Sequence, residues 1–121
     1  MMIELSDQAS DAILNALADL LDGGSIELLE NNGRALAVLK LSDPATAPAA
    51  GGELEFREII EEDSAAATGI VTSARIMGST GSEIFSCDVG DENSDAVIKL
   101  NTTKIYRGGP VRLTSFRLAM P

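Results

Sequence analysis

The sequence has no histidine, no tryptophan and one cysteine, Cys87. Without an imidazole, the chain lacks the side chain that most often serves as a general base or metal ligand near neutral pH. A lone cysteine excludes an internal disulfide and any zinc site built from several cysteines. Aromatic residues make up only 3% of the chain, so the core must be built from aliphatic side chains. These absences disfavour an enzyme.

Long apolar runs are also missing. None approaches the roughly 18 residues that a membrane-spanning helix needs, and the opening stretch MMIELSDQAS carries acid where a signal peptide carries basic residues. A net charge of −10 repels phosphate backbones and anionic lipid surfaces. We therefore expect a protein that is made and kept in the cytosol and binds neither membranes nor nucleic acid directly.

The charges are distributed unevenly along the chain. None of the 19 acidic residues lies after Asp95, whereas the bases there are Lys99, Lys104, Arg107, Arg112 and Arg117. A basic C-terminal segment on an acidic body can bind an acidic neighbour, including another copy of the same chain. The alternative is that these bases pair with acids on adjacent strands of the same subunit.

The stretch SDQASDAILNALADLLDGG predicts a helix over residues 5–22, capped by Ser6 and ended by Gly23 and Gly24. Apolar residues recur at helical spacing and predict one buried stripe. The predicted stripe consists of Ala9, Ile13, Ala16, Leu17, Leu20 and Leu21. Such a helix must dock on something, either its own sheet or a partner subunit.

After Gly24 the apolar pattern changes to a period of two. Asn31-Asn32-Gly33 between two apolar runs predicts a hairpin, and GSTGS predicts another. Gly69 marks a bulge or a close backbone approach. About seven to eight short strands over residues 25–120 predict an antiparallel β-sandwich or barrel, jelly-roll-like, within a single domain spanning residues 1–121.

The last strand has an irregular apolar pattern. Val111 and Leu113 share one side, whereas Phe116, Leu118 and Met120 share the other. A bulge near residues 114–115 would bring both sets to the core. Alternatively, both sides of the strand are covered, one of them by a neighbour.

One loop partly matches a calcium-binding loop. Asp91, Asn93 and Asp95 occupy its first three ligand positions, but Ala96 replaces the glycine and Thr102 the bidentate glutamate. We interpret this stretch as a solvated loop.

We interpret the carboxylates of Glu58, Glu61, Glu62 and Asp63 as a solvated turn, because acid–base catalysis needs two carboxylates in different environments.

Cys87 follows Phe85 and precedes Val89 on one side of a predicted strand, which favours a buried, unreactive thiol. The motifs of hydrolases, phosphate loops and dinucleotide-binding folds are missing from the sequence. We therefore expect neither catalysis nor a cofactor nor a bound metal. A carbohydrate-binding module is a weaker alternative, because sugar binding usually relies on exposed aromatic rings.

Four stretches occur in a recognisable order: LKLSDPA, AAGGELEF, AAATGIVTSARI and LNTTKIYRGGPVRLTSFRLAMP. Together they resemble a set of small tailed-bacteriophage and prophage proteins that pair an N-terminal helix with a β-rich body. The resemblance spans most of residues 24–121. It implies a virion component: a capsid cement (decoration) protein that binds and stabilises the lattice of the major capsid protein, or alternatively a neck or tail component.

A cement protein needs surfaces that reach its neighbours, and many repeated contacts can each be modest. The resemblance therefore implies a homo-oligomer, a dimer or trimer, that becomes part of the virion after synthesis in the host bacterial cytoplasm. The basic C-terminal segment is the candidate contact with another subunit or with the capsid. The candidate interface residues are Lys104, Tyr106, Arg107, Arg112, Phe116, Arg117, Leu118 and Met120.

Overall fold

The N-terminal helix forms where the sequence predicts it. In the computed structural model, which describes residues 6–56, 59–60 and 65–119, helix α1 runs over Asp7–Leu21. The hydroxyl oxygen of Ser6 accepts a hydrogen bond from the Ala9 amide at 3.2 Å and so caps the first turn. The helix ends before Gly23, whose φ of 73° lies in the left-handed region that glycine adopts without strain.

The described residues contain ten strands. In chain order these are β1 (Ser25–Leu29), β2 (Ala35–Leu41), β3 (Glu53–Glu55), β4 (Ile59–Ile60), β5 (Gly69–Ile70), β6 (Ser73–Met77), β7 (Glu83–Asp91), β8 (Ile98–Leu100), β9 (Lys104–Ile105) and β10 (Leu113–Ala119). Eight form one sheet in the order β3-β10-β8-β7-β6-β1-β2-β4, and β5 and β9 form a two-stranded ribbon. The sheet curls into a sandwich- or barrel-like body, which confirms the predicted mainly-β class with one N-terminal helix.

Two hairpins form the centre of the sheet. β1 and β2 pair antiparallel across the Asn31-Asn32-Gly33 turn, and β6 and β7 pair antiparallel across residues 78–82. In the first turn Gly33 has a φ of 87°, and the Asn32 side chain accepts a hydrogen bond from the Arg34 amide at 2.9 Å. β1 also pairs antiparallel with β6. Both hairpins predicted from their turn sequences are therefore confirmed, and they lie side by side.

One pair of strands makes the sheet mixed. β7 and β8 run parallel, with Val89 opposite Ile98, whereas the other pairs of the sheet are antiparallel. Only residues 92–97 connect these two strands, so the chain reverses twice within a short loop. Ser94 folds so closely onto Gly90 that a Cβ at this glycine would overlap the serine hydroxyl. Glycine is therefore required at this position by the close approach.

The last strand contains a bulge, which is one of the two alternatives that its apolar pattern leaves open. β10 pairs with β8 on one side and β3 on the other, and its register against β8 shifts between Leu113 and Ser115. Thr114 is the extra residue, and its hydroxyl donates a hydrogen bond to a carbonyl of β8 at 3.1 Å. As a result Val111 and Phe116, from the two halves of the pattern, are both buried, at 1% and 4% exposure.

The helix packs on its own sheet, but with a different side from the one predicted. Its buried residues are Ser10, Leu14, Ala18 and Leu21. Of the predicted stripe, only Leu21 is fully buried, whereas Ile13 is 48% and Leu20 is 56% exposed. Leu14 and Ala18 pack against Leu54 of β3. The predicted stripe is wrong because apolar residues occur on more than one side of this helix, and the position of β3 decides which side is covered.

The two-stranded ribbon lies outside the main sheet. The stretch 67–77, which reads as one strand in the sequence, is divided into β5 and β6, because β5 leaves the sheet to pair with β9. A Cβ at Gly69 would lie 3.0 Å from a methyl of Leu36 and 2.5 Å from the carboxylate of Glu30. The ribbon thus rests directly on β2, and the close approach predicted at this glycine is confirmed.

Candidate functional site

The ribbon presents an exposed surface that is both apolar and cationic. Ile70 of β5 lies directly opposite Lys104 of β9, and such cross-strand partners share one side of the ribbon. Tyr106 follows two residues after Lys104, and both Ile70 and Tyr106 are 57% exposed. The Lys104 ammonium nitrogen lies 5.5 Å from the centroid of the Tyr106 ring, within cation–π range. We call Ile70, Lys104 and Tyr106 the ribbon face.

Buried neighbours hold the ribbon face in position. Ile105, which lies between two of its members, is 2% exposed and belongs to the main core. The Val71 amide donates a hydrogen bond to the Thr103 carbonyl at 2.9 Å, which ties the two segments together beyond the paired residues. Because side chains alternate along an extended chain, anchoring Ile105 inward directs the residues before and after it outward.

The bases of this surface lack acidic partners among the described residues. Lys104 and the adjoining Arg107 are exposed, and neither forms an ion pair with a residue that the structure describes. The nearby Arg34, in contrast, is paired: its Nε lies 2.7 Å from a carboxylate oxygen of Glu30, and its Nη2 donates to the Thr68 carbonyl at 2.8 Å. The ribbon face is therefore a cationic surface with apolar groups at its centre.

The interface residues predicted from the sequence are divided between this surface and the body. Lys104, Tyr106 and Arg107 come together on or beside the ribbon face. Arg112 is exposed in the segment that leads into β10. Met120 lies outside the described residues. The sequence did not single out Ile70, because its position opposite Lys104 depends on the pairing of β5 with β9.

β10 carries the remaining predicted interface residues into the body of the protein. Phe116 is 4% exposed and stacks on Phe56 with ring centroids 3.8 Å apart, so it belongs to the core and not to an exposed interface. Arg117 lies 3.7 and 3.8 Å from the carboxylates of two glutamates of β3, the cross-strand pairing that the sequence left open. Leu118 is half-buried and packs against the helix and β3.

A second exposed apolar surface lies on the helix. Ile13 and Leu20 are 48% and 56% exposed, and Ala16 between them is also exposed. Residues spaced by three and four lie on one side of a helix, so these three side chains form one continuous stripe. We call Ile13, Ala16 and Leu20 the helix face. Sequence reasoning assigned these residues to the core, and their spacing alone could not show that they face solvent.

The helix that carries this face is acidic. It contains Asp7, Asp11 and Asp19 and no basic residue. Asp19 directly precedes Leu20, is exposed, and forms neither a hydrogen bond nor an ion pair with any residue that the structure describes. The helix face thus has the opposite charge from the ribbon face.

The polar side of the helix holds the loop after β2. The side-chain oxygens of Asp11, Asn15 and Asp22 accept hydrogen bonds from the amides of residues 52, 49 and 45, at 2.8, 2.9 and 2.8 Å. These three side chains satisfy loop amides that would otherwise need water or another backbone partner. The helix is therefore fixed to the body by its buried side and by its polar side, which leaves the helix face uncovered.

The cysteine and the calcium-like loop that the sequence analysis considered as candidate chemical sites lie in surroundings that suit a structural role. Burial, with a smaller contribution from the negative charge of Asp88, raises the pKa of Cys87 to about 12, so its thiol stays protonated at neutral pH. The Asp91 carboxylate accepts a hydrogen bond from the Asn93 amide at 3.0 Å within the turn. Over residues 6–56, 59–60 and 65–119, no group of three or more acidic or cysteine side chains is placed to hold a metal ion. The acidic cluster Glu58, Glu61, Glu62 and Asp63 lies outside the described residues.

In the part of the chain that the structure describes, no helix has the length and apolar content that crossing a bilayer requires. Comparison of the chain with protein-family models, with curated proteins and with solved structures finds no match.

Proposed function

We propose that this protein is a non-enzymatic structural component of a tailed-phage virion, a capsid cement protein that binds and stabilises the lattice of the major capsid protein. The observation that carries the proposal is the ordered series of four sequence stretches that resembles small phage and prophage proteins. Two of those stretches, AAATGIVTSARI and LNTTKIYRGG, supply the strands of the exposed ribbon.

The surface of the protein supports binding to other proteins. Ile70 and Tyr106 are large side chains exposed on the same side of the ribbon, and exposed apolar groups bordered by charge are typical of protein contacts. Each such patch is small, but a protein that binds a repeating lattice adds many weak contacts. The net charge of −10 favours a protein partner over a nucleic acid or an anionic membrane.

The environments of the polar groups favour a structural role over catalysis. Asp11 and Asp22 are occupied in holding the loop after β2. Arg75 is occupied by Glu27, with Nη2 2.7 Å from its carboxylate oxygen, in a pair across β6 and β1. The raised pKa of Cys87 works against a thiolate nucleophile. These groups stabilise a body that can present fixed surfaces.

The proposal is tested by adding the purified protein to empty capsid shells and to tail tubes of the phage or prophage whose genes surround its own. A cement protein co-sediments with the shells up to a fixed number of copies per capsid subunit, and it raises the temperature at which the shells dissociate. Saturable binding to tail tubes alone would replace this function by the tail alternative. Binding to neither, or binding to a glycan panel, would refute a virion role.

A further inference from the structure

Large apolar side chains are exposed in only a few places of the described structure. Two of them, Ile13 and Leu20, belong to the helix face, and two others, Ile70 and Tyr106, belong to the ribbon face. The fifth, Val38, is 44% exposed on β2 and belongs to neither face. The described surface therefore has two apolar patches that each contain more than one large side chain.

These two patches do not cover each other within one copy of the chain, because their four large side chains are 48–57% exposed. The helix ends next to the first residue of β1, where the Gly24 amide donates to the Leu21 carbonyl at 2.8 Å. The ribbon begins at the other end of β1, where the Thr72 amide donates to the Leu29 carbonyl at 2.9 Å. A strand of five residues separates these points by roughly 16 Å.

The two patches are complementary in charge as well as apolar. The helix face is carried by a helix with three aspartates and no base, and Asp19 directly adjoins Leu20. The ribbon face contains Lys104 and adjoins Arg107, which have no acidic partner among the described residues. A contact between two helix faces would bring like charges together, whereas a contact between unlike faces pairs them.

We infer that two copies of this chain associate by packing the helix face of one copy against the ribbon face of the other. Ile70 and Tyr106 cover Ile13 and Leu20, and the bases of the ribbon meet Asp19 at the rim. This arrangement follows the usual interface pattern of an apolar centre surrounded by complementary polar groups. Tyrosine is among the residues that most often dominate binding energy at such a centre.

The smallest closed assembly that uses both faces of each copy is a dimer. Each copy offers the helix face and the ribbon face, and both are exposed. Two copies lying side by side in opposite directions make the helix–ribbon contact twice, related by a two-fold axis, and leave neither face exposed. This inference deepens the proposed structural role, on which its biological use rests, by naming the surfaces that join the subunits.

The test uses two single variants of the full chain, Leu20→Ser in the helix face and Tyr106→Ser in the ribbon face. Each variant alone is expected to dissociate at least about tenfold more readily than the unchanged protein, as measured by sedimentation equilibrium. The double variant with both substitutions is expected to lose less than the sum of the two single losses, because each substitution removes the side chain that the other one contacts. Val38→Ser is the matched control, and it should associate like the unchanged protein.

Exchanging the charges of an acid at the helix face and a base at the ribbon face tests the charged border of the same contact. Asp19→Lys and Lys104→Glu should each weaken association, and the double variant should recover part of the loss through the exchanged pair. Circular dichroism checks that every variant keeps its fold. Association that persists in both serine variants, or single losses that simply add in the double variant, would overturn the helix–ribbon contact. A monomeric unchanged protein would overturn it as well.

These results are independent of the test for the cement function. A protein that binds shells but stays monomeric would retain the proposed function and refute the helix–ribbon contact. A protein that forms the two-fold dimer but binds no shells would retain the helix–ribbon contact and refute the proposed cement function.

Discussion

The two apolar sides of helix α1 have similar sequences and opposite environments. Leu14 and Leu21 are 2% and 0% exposed against the body, whereas Ile13 and Leu20 are 48% and 56% exposed. Adjacent residues thus differ between core and surface. The difference shows that an apolar stripe only indicates that a helix side can be buried, and that the neighbouring strand determines whether it is.

The largest expected contrast lies between two neighbouring leucines. Leu21→Ala removes a fully buried side chain and should lower the free energy of unfolding by about 2–5 kcal/mol. Leu20→Ala removes a side chain that is 56% exposed and should change it by less than about 0.5 kcal/mol in the monomer. Urea unfolding followed by circular dichroism at low protein concentration measures both values.

Equal losses in the two leucine variants would mean that the helix face is also covered within one subunit. The distinction between a buried and an exposed apolar side of the helix would then be wrong. The helix face would also not be free to bind a second copy.

A smaller effect is expected on the polar side of the helix. Asp22→Ala removes the acceptor of the Ala45 amide, a hydrogen bond of 2.8 Å in a partly buried position. The loss should be about 1–3 kcal/mol, because a partly buried amide is left without its partner. Asp19→Ala is the control, since Asp19 is exposed and forms no hydrogen bond with a described residue.

Thermal unfolding of the two aspartate variants provides the measurement. If Asp19→Ala were as destabilising as Asp22→Ala, the anchoring of the loop would not account for the loss. The helix dipole would not account for it either, because an acid near the C-terminal end of a helix is unfavourable and its removal should stabilise the helix.

The smallest effect is expected at the start of the helix. Ser6→Ala removes the hydroxyl that accepts from the Ala9 amide and should cost about 1 kcal/mol. Gln8→Ala, on an exposed position of the first turn, should cost almost nothing. Hydrogen exchange of the first helical turn would locate the change, with faster exchange expected only in the Ser6 variant.

The features predicted correctly from the sequence depend on short-range chemistry. The Asn31-Asn32-Gly33 turn and the Ser6 cap are each decided by a few adjacent residues, and both formed as predicted. The bulge at Thr114 was one of two alternatives that the apolar pattern of the last strand left open, and the pairing of β10 with β8 decides between them. For the turn and the cap, the relevant interaction lies within a few residues of the signal.

The features that sequence reasoning missed depend on distant pairing. β5 reads as part of β6 until it is known to pair with β9, more than 30 residues later. The parallel pairing of β7 with β8 and the choice of helix side by Leu54 are also tertiary outcomes. For this reason the sequence indicated Lys104, Tyr106 and Arg107 as candidate interface residues. It could not indicate Ile70 or the exposed helix face.

The pairing of β10 with β3 has a consequence for the order in which the protein can assemble during translation. Leu54 of β3 and Leu118 of β10 lie opposite each other, and the helix packs over this pair through Leu14. The ribosome makes the helix first, but the second leucine of its docking site is added about 100 residues later. The helix is therefore synthesised well before β10, and its stable docking must follow the synthesis of that strand.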